Sequence, residues 1–296
     1  MQNTSNVLAD IEAIIARAME EVGVNPTSVE SPATNNTPAD FEVVEPVENP
    51  IIPERITSVV VNEATSRFSG AVWYEEIQKQ KVILAGLGGI GSYIAFLLGR
   101  LKIDTLVLYD DDRVETANMS GQLYGRNEVG QYKVHAISNL LYNYTELVQI
   151  VELNEKFTAA SQNGPVMICG FDNMAARKTF FSRWLDFVKE VPEEDKSACL
   201  FIDGRLAAEE FQVLCVRGDD AYSIDKYQKN FLFRDSEADE TICSYKQTTF
   251  MANMIASVIV NLFVNFAANR CNPLIPRDLP FFTEYSAETM FFKVIA

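Results

Sequence analysis

The sequence holds one histidine and five cysteines in 296 residues, and Cys169, Cys199, Cys215, Cys243 and Cys271 stand singly with no CxxC pair. A structural zinc site wants closely spaced Cys and His ligands, so none is expected. The odd cysteine count and the missing framework spacing point to a reducing, cytoplasmic compartment. Basic residues are also scarce: 25 Lys and Arg face 41 Asp and Glu, for a net charge of −16. That balance argues against a nucleic-acid partner or an anionic membrane surface, which need clustered cations. It leaves ATP open, because a local site can hold the phosphates. Met1 to Val22 lacks a basic stretch followed by an apolar one, so no secretory signal is expected.

Long apolar runs are few. Met251 to Ala268 approaches membrane-spanning length. Asn253, Ser257, Asn261, Asn265 and Asn269 recur through it every four residues, however. That spacing lays a polar stripe along one helical face and predicts a buried helix of a soluble domain.

Hydrophobic residues make up 48% of the chain, enough for a sizeable core. Val7, Leu8, Ile11, Ile14, Ile15, Ala18 and Val22 keep helical spacing and predict an amphipathic helix within 1–23. It reads either as a packing or solubility element or as a tethered docking peptide. Residues 24–53 carry six of the eleven prolines, so 24–55 is expected to be an acidic, flexible linker. Ten acidic and two basic residues lie in 1–55, ahead of a folded domain expected over 56–296.

Within that domain a helix at 72–79 precedes the strand Lys81–Gly86. Further strands are expected at Thr105–Asp110, 148–152, Val166–Cys169, Leu200–Asp203 and Phe211–Val216. Helices are expected from the glycine loop to about Arg100, at 131–144 and from Ala175 to Val188. Alternating strands and helices predict an α/β, Rossmann-like fold: a mostly parallel sheet with helices on both faces, and added antiparallel strands after Leu200.

Gly86-Leu-Gly88-Gly89-Ile-Gly91 is a GxGxxG loop between an apolar strand and an apolar helix. Its glycines allow a tight turn and close approach of a phosphate to the backbone and the helix N-terminus. Asp110 follows Gly91 by nineteen residues at the tip of the next strand, where a carboxylate can accept from ribose hydroxyls. These features alone say "adenine nucleotide", and NAD, FAD and ATP all fit.

The following segments narrow the choice. Asp110-Asp-Asp112-Arg-Val-Glu-Thr-Ala-Asn118-Met-Ser-Gly121-Gln122 runs on from the second strand. Gly130-Gln-Tyr-Lys133 comes next, and Cys169-Gly-Phe-Asp172-Asn173 with Arg177 follows the apolar strand. This series resembles the ThiF-type, ubiquitin-activating-enzyme-like (MoeB/ThiF/HesA) adenylyltransferases over roughly residues 67–270. Their pattern is a glycine loop, an acid at the ribose, D-x-V-x-x-x-N-L-x-R-Q, G-x-x-K and D-N-x-x-x-R. The RFSG and NMSGQLY segments are similar to those of ThiF-like proteins from bacteriophages.

The resemblance implies ATP and Mg²⁺ as cofactors, with Mg²⁺ held by Asp172. It implies nucleotide contacts from Gly86, Gly88, Gly89, Gly91, Asp110, Asp112, Asn118, Gln122, Lys133 and Asn173. Lys133, Asp172 and Arg67 are the implied catalytic side chains, with a homodimer and a small ubiquitin-like or sulfur-carrier protein, or a peptide, as partners. Cys243 lies where the family carries a thioester-forming cysteine. Lys246 could lower its pKa, and a small buried thiol is the equal alternative. Cys169 at a strand end reads as structural, and the lone His135 as a surface or packing residue.

Two positions depart from the family. Gly121 stands where the family has the arginine of N-L-x-R-Q. In the segment Arg67-Phe-Ser-Gly70-Ala71 the first arginine of the family's R-Y-x-R-Q arm is kept and the second is Gly70. Arg67, Arg126 and Arg177 are the candidates to replace the missing cations. The lead expectation is therefore an enzyme activating a C-terminal carboxylate. A nucleotide-binding assembly module is the alternative, and a NAD-dependent oxidoreductase is a third.

Overall fold

The computed structural model describes residues 63–146, 149–233, 247–272 and 274–295. The chain divides into Met1–Thr57 and Ser58–Ala296. The expected N-terminal helix, the linker and Cys243 with Lys246 lie outside the described residues.

The short helix Tyr74–Ile77 (α1) leads into the strand Lys81–Ala85 (β1), the helix Gly89–Leu101 (α2) and the strand Thr105–Tyr109 (β2). Lys133–Tyr144 (α3), Ile150–Leu153 (β3), Val166–Cys169 (β4), Met174–Glu190 (α4) and Leu200–Ala207 (β5) follow. The chain continues through Glu210–Arg217 (β6), Ala221–Asn230 (α5), Thr249–Cys271 (α6), Phe282–Ser286 (β7) and Phe291–Ile295 (β8). The eight strands form one sheet in the order β3-β2-β1-β4-β5-β6-β7-β8. Pairing is parallel from β3 to β5 and antiparallel from β5 to β8.

The inner parallel strands β1, β2 and β4 are apolar on both faces because both faces are covered, whereas β3 at the edge is exposed at Val151 and Glu152. Val82, Leu84, Leu106 and Leu108 pack with residues of α2, α3 and α6. Ile83, Ala85, Val107 and Tyr109 share a second cluster with Phe180, Phe181 and Trp184 of α4 and Tyr227 of α5. Helix α2 ends at Leu101, and Lys102 takes the left-handed conformation with φ 59° that closes many helix C-termini.

Helix α6 buries Met251, Ile255, Ile259, Phe263 and Phe266, while Asn253, Ser257 and Asn261 face outward. Length and composition would let this helix cross a membrane, yet 56% of its apolar window is buried within the protein. The first three residues of the polar stripe are its solvent side, whereas Asn265 and Asn269 are half-buried and bond the backbone of Asp278 and Arg277.

The sequence expectations for β1, α2, β2, α3, β3, β4 and α4 fall within two residues of the observed elements. Helix α1 is shorter than the expected 72–79, and β5 and β6 run longer as one antiparallel hairpin. Helix α5 and the hairpin β7–β8 were not foreseen as individual elements. Strand β8 ends the sheet, and Phe291, Phe292, Val294 and Ile295 on it are exposed.

Strand β1 lies between β2 and β4, so the chain order reverses on either side of it. Ligands of open α/β sheets bind outside the carboxyl ends of the strands at such a switch point.

Candidate nucleotide site

The turn after β1 begins with Gly86 at φ +84°, a left-handed conformation that L side chains rarely adopt. Its neighbour is the turn after β4. An ideal Cβ on Gly86 would stand 2.8 Å from the carbonyl carbon and oxygen of Gly170, and one on Gly170 would stand 2.7 Å from Gly86 O. Two backbone bonds stitch this floor to the strands: Gly86 N donates to Tyr109 O (2.9 Å) and Gly170 N to Ala85 O (2.9 Å). Gly88 and Gly89 then open α2, whose first N–H groups point out of the sheet's carboxyl edge as anion donors.

Asp110 closes this turn from the end of β2. Its Oδ2 accepts from Leu87 N (2.6 Å) and its Oδ1 from Asp112 N (2.9 Å). Burial raises its carboxyl above the ordinary aspartate value, although Lys133 and the two backbone donors pull the other way. Each oxygen keeps acceptor capacity after its backbone bond, as ribose recognition requires.

Lys133 is the first residue of α3 and points back under the same edge. Its Nζ lies 2.8 Å from Asp112 Oδ2 and 4.0 Å from Asp110 Oδ1. The Lys133 side chain is 8% exposed and that of Asp112 67% exposed, so the pair joins a fixed cation to a carboxylate free to swing into water.

Asp172 projects from the turn after β4, exposed at the start of α4. Asn173 caps that helix: its Oδ1 accepts from Ala176 N (2.8 Å) and its Nδ2 reaches Asp172 Oδ1 (3.3 Å). Asn118 closes its own turn, with Oδ1 accepting from Glu115 N (2.8 Å). The Gln122 side chain approaches the glycine loop, its Nε2 lying 4.0 Å from an ideal Cβ on Gly88. The glycine loop, Asp110, Asp112, Lys133, Gln122, Asp172 and Asn173 thus lie at the carboxyl ends of β1, β2 and β4, while the Asn118 side chain is taken up by its own turn.

The arginine candidates separate. Arg177 is not available to a phosphate. It is buried, and its guanidinium donates to Asp203 Oδ1, Phe171 O and Gly204 O. Asp203 is fully buried and also accepts from Arg205 Nε (2.8 Å) and Tyr227 OH (2.9 Å). Arg177 is therefore a structural residue that ties the Asp172 turn to β5, and the expectation that it could replace a missing phosphate-binding cation is corrected. Arg67 is exposed and follows Thr65, which lines a small cavity of about 160 Å³ with Gly99, Arg100 and Tyr144. That cavity sits at the C-terminal end of α2, roughly 20 Å of helix away from the glycine loop. This chain does not bring its own Arg67 to the site. Arg126 is exposed in the short turn Arg126–Glu128.

Sequence reasoning missed several supports of the loop. Tyr124, buried, donates its hydroxyl to Leu87 O (2.7 Å). Ser92 Oγ donates to Gly89 O (3.2 Å) and accepts from Leu123 N (3.0 Å). Gln247 packs on Gly89 and Gly121. Tyr124 closes the NMSGQLY segment and Ser92 directly follows the glycine loop, but neither position nor that of Gln247 told what its side chain would support.

Cys169, at the end of β4, is buried, and burial raises its thiol. Burial likewise pushes Cys199 to about 11 and Cys215 to about 12, so these thiols stay protonated. His135 is exposed beside Glu152, with 3.3 Å between Nδ1 and Oε2. Among the described residues no group of three or more His, Cys, Asp or Glu could hold a metal.

Known proteins resemble this chain in sequence or in fold. Ubiquitin-like modifier-activating enzyme 5 of Caenorhabditis elegans is 40% identical over 85 residues, 29% of this chain and 20% of the relative. Its Drosophila melanogaster counterpart is 29% identical over 161 residues, 52% of this chain and 37% of the relative. The matches thus span well under half the length of these curated relatives. Among solved structures, PaaA superimposes with a TM-score of 0.61 at 17% identity, covering 97% of this chain and 81% of PaaA. Escherichia coli MccB with ATP gives 0.53 at 15% identity, covering 79% of this chain and 71% of MccB. Those two likenesses are of fold. Residues 61–294, the span that builds both the sheet and the site, match the ThiF family, and the chain belongs to it.

Proposed function

We propose that this chain is an ATP-dependent adenylyltransferase that activates the C-terminal carboxylate of a ubiquitin-like or sulfur-carrier protein, or of a peptide. The observation that carries the reading is the convergence of a phosphate-ready helix N-terminus, an anchored Asp110 and the Lys133 ammonium at one switch point, with Asp172 two residues from Gly170. Family membership supports it, as does the printed pairing of MccB with ATP and with MccA.

In this reading a substrate carboxylate oxygen attacks the α-phosphorus of ATP. The bond to the β-phosphate oxygen breaks, and pyrophosphate leaves with its electron pair. Asp110 accepts from the ribose hydroxyls and fixes the nucleoside. The N–H groups of α2 and the Lys133 ammonium offset the phosphate charge that resists attack. Asp172 would hold Mg²⁺; a single protein carboxylate suits this ion, which takes its other ligands from phosphates and water. Bound there, Mg²⁺ supplies further neutralisation of the triphosphate. Passage of the acyl group to the Cys243 sulfur, with release of AMP, belongs to the same reading, as do a homodimer and a cytoplasmic location.

A second reading follows from Gly70 and Gly121, which leave the site without two cations its relatives carry: a nucleotide-binding module that serves assembly. ATP–pyrophosphate exchange, measured with candidate carrier proteins, separates the two. The enzyme reading expects partner-dependent exchange that Asp172→Ala abolishes. Saturable ATP binding without exchange under any partner supports the module, and a thermal shift with NAD but not ATP overturns both.

A further inference from the structure

The phosphate end of the cradle has a wall that no motif announces. The carboxamide of Gln247 lies on Gly89, the first residue of α2. An ideal Cβ on Gly89 would stand 2.0 Å from Gln247 Oε1, 2.6 Å from Cδ and 2.8 Å from Nε2. An ideal Cβ on Gly121 would stand 2.9 Å from Nε2 and 3.0 Å from Cγ. The amide therefore fills room left by two absent side chains, one at the helix start and one at the end of the 116–121 turn.

Its backbone is held where this requires. Gln247 forms a parallel bridge with Ala208, just past β5. Two residues further on, Thr249 Oγ1 donates to Ser120 O at 2.5 Å. Across the loop, Gln122 approaches Gly88, and its buried Oε1 has no hydrogen-bond partner among the described residues. Two uncharged carboxamides thus flank the Gly88–Gly89 step, where the helix offers its free N–H groups.

We propose that Gln247 is a nucleotide-contacting residue, whose Nε2–H donates to a phosphate oxygen of a triphosphate seated on the N-terminus of α2. The proposal rests on the ATP reading above and adds to it a contact from the start of α6. Half a turn about the last side-chain torsion exchanges Oε1 and Nε2 at little cost, so the amide can present a donor to an anion. Being neutral, it adds direction without adding to the charge of Lys133. Gly121 is its companion position, because any side chain there would push the amide off the cradle.

Titration calorimetry of the full chain with ATP tests this. Gln247→Ala weakens ATP binding about tenfold, the loss of one hydrogen bond to a charged acceptor. Gln247→Glu keeps the shape but removes the donor and adds a negative charge, and weakens binding more than the alanine does. Gly121→Ala weakens binding in the wild-type background and has no further effect beside Gln247→Ala. Unchanged thermal midpoints show that the variants are folded. Equal or tighter ATP binding by Gln247→Ala overturns the proposal, tighter binding meaning that the amide obstructs the cradle. A wild-type chain that binds no ATP overturns both this proposal and the functional reading. One that binds ATP without pyrophosphate exchange overturns adenylylation alone, and the Gln247 contact is still read from the binding constants.

Discussion

The sheet carries two carboxylate–cation clusters, and they are built in opposite ways. At the end of β2, Asp110 and Asp112 share Lys133, and Asp112 stands largely in water. On β5, Asp203 is fully buried and shared by Arg177, Arg205 and Tyr227, while the two guanidiniums also bond the carbonyls of Phe171, Gly204 and Phe231. Buried charges are tolerated when every partner is present, as at Asp203. The Lys133 cluster keeps unused acceptors and a partner that can swing away, which is what a ligand must find. Saturation marks the cluster that holds the fold, and incompleteness marks the one proposed to take a nucleotide.

That contrast can be broken, most forcefully at Asp203. Asp203→Ala strands the buried Arg177 guanidinium and the half-buried one of Arg205, and is expected to cost about 3–5 kcal/mol in urea unfolding. A cost below about 1 kcal/mol would remove the distinction between the clusters. Lys133→Met should do the reverse. Pyrophosphate exchange is expected to fall about 100-fold or more through lost charge stabilisation. The thermal midpoint should move only a few degrees, because Asp110 keeps both backbone donors and Asp112 is solvated.

The smallest effect comes from Asp220, which caps α5. Burial pushes its carboxyl up, but hydrogen bonds from Ser223 Oγ (2.5 Å) and N (3.1 Å), with Arg217 nearby, outweigh that and leave it below the ordinary value of 3.8. A depressed folded-state pKa contributes stability above the unfolded value, and that stability is lost as pH falls through the folded one. Asp220→Ala is expected to cost about 1 kcal/mol near neutrality, with the gap to wild type closing below pH 3.8. Asp110 has the opposite sign. Its raised folded pKa favours the protonated form, so its contribution to stability declines as pH rises through that value. Stability curves of the wild type and Asp220→Ala between pH 3 and pH 7 would read the first; a gap independent of pH would deny it.

Much of the Lys133 cluster was legible in the sequence. Strand, glycine loop, helix and Asp110 are contiguous, and local patterning carries them. Lys133 and Asp172 came through a resemblance spread over distant segments. Arg177 was misjudged because motif spacing sets its distance along the chain but not its direction. One turn into α4 it faces β5 and not the cradle. Asp203 carried a signal that went unused: a carboxylate in the apolar run Leu200-Phe-Ile-Asp203 has to find cations or stay out of the core. Gln247 carried none, because its significance lies in two glycines more than a hundred residues upstream. The hairpin β7–β8 was foreseen only as added antiparallel strands, since five-residue strands after a long helix leave little periodicity to read.

The contact between Gly86 and Gly170 has a mechanical consequence. With main chain pressed on main chain, there is no side chain between the two turns to yield when something is bound. The glycine loop and the turn that presents Asp172 must then travel as one piece. A methyl group added at either glycine would shift both halves of the site at once, so damage there should show as joint loss of nucleotide and cation binding.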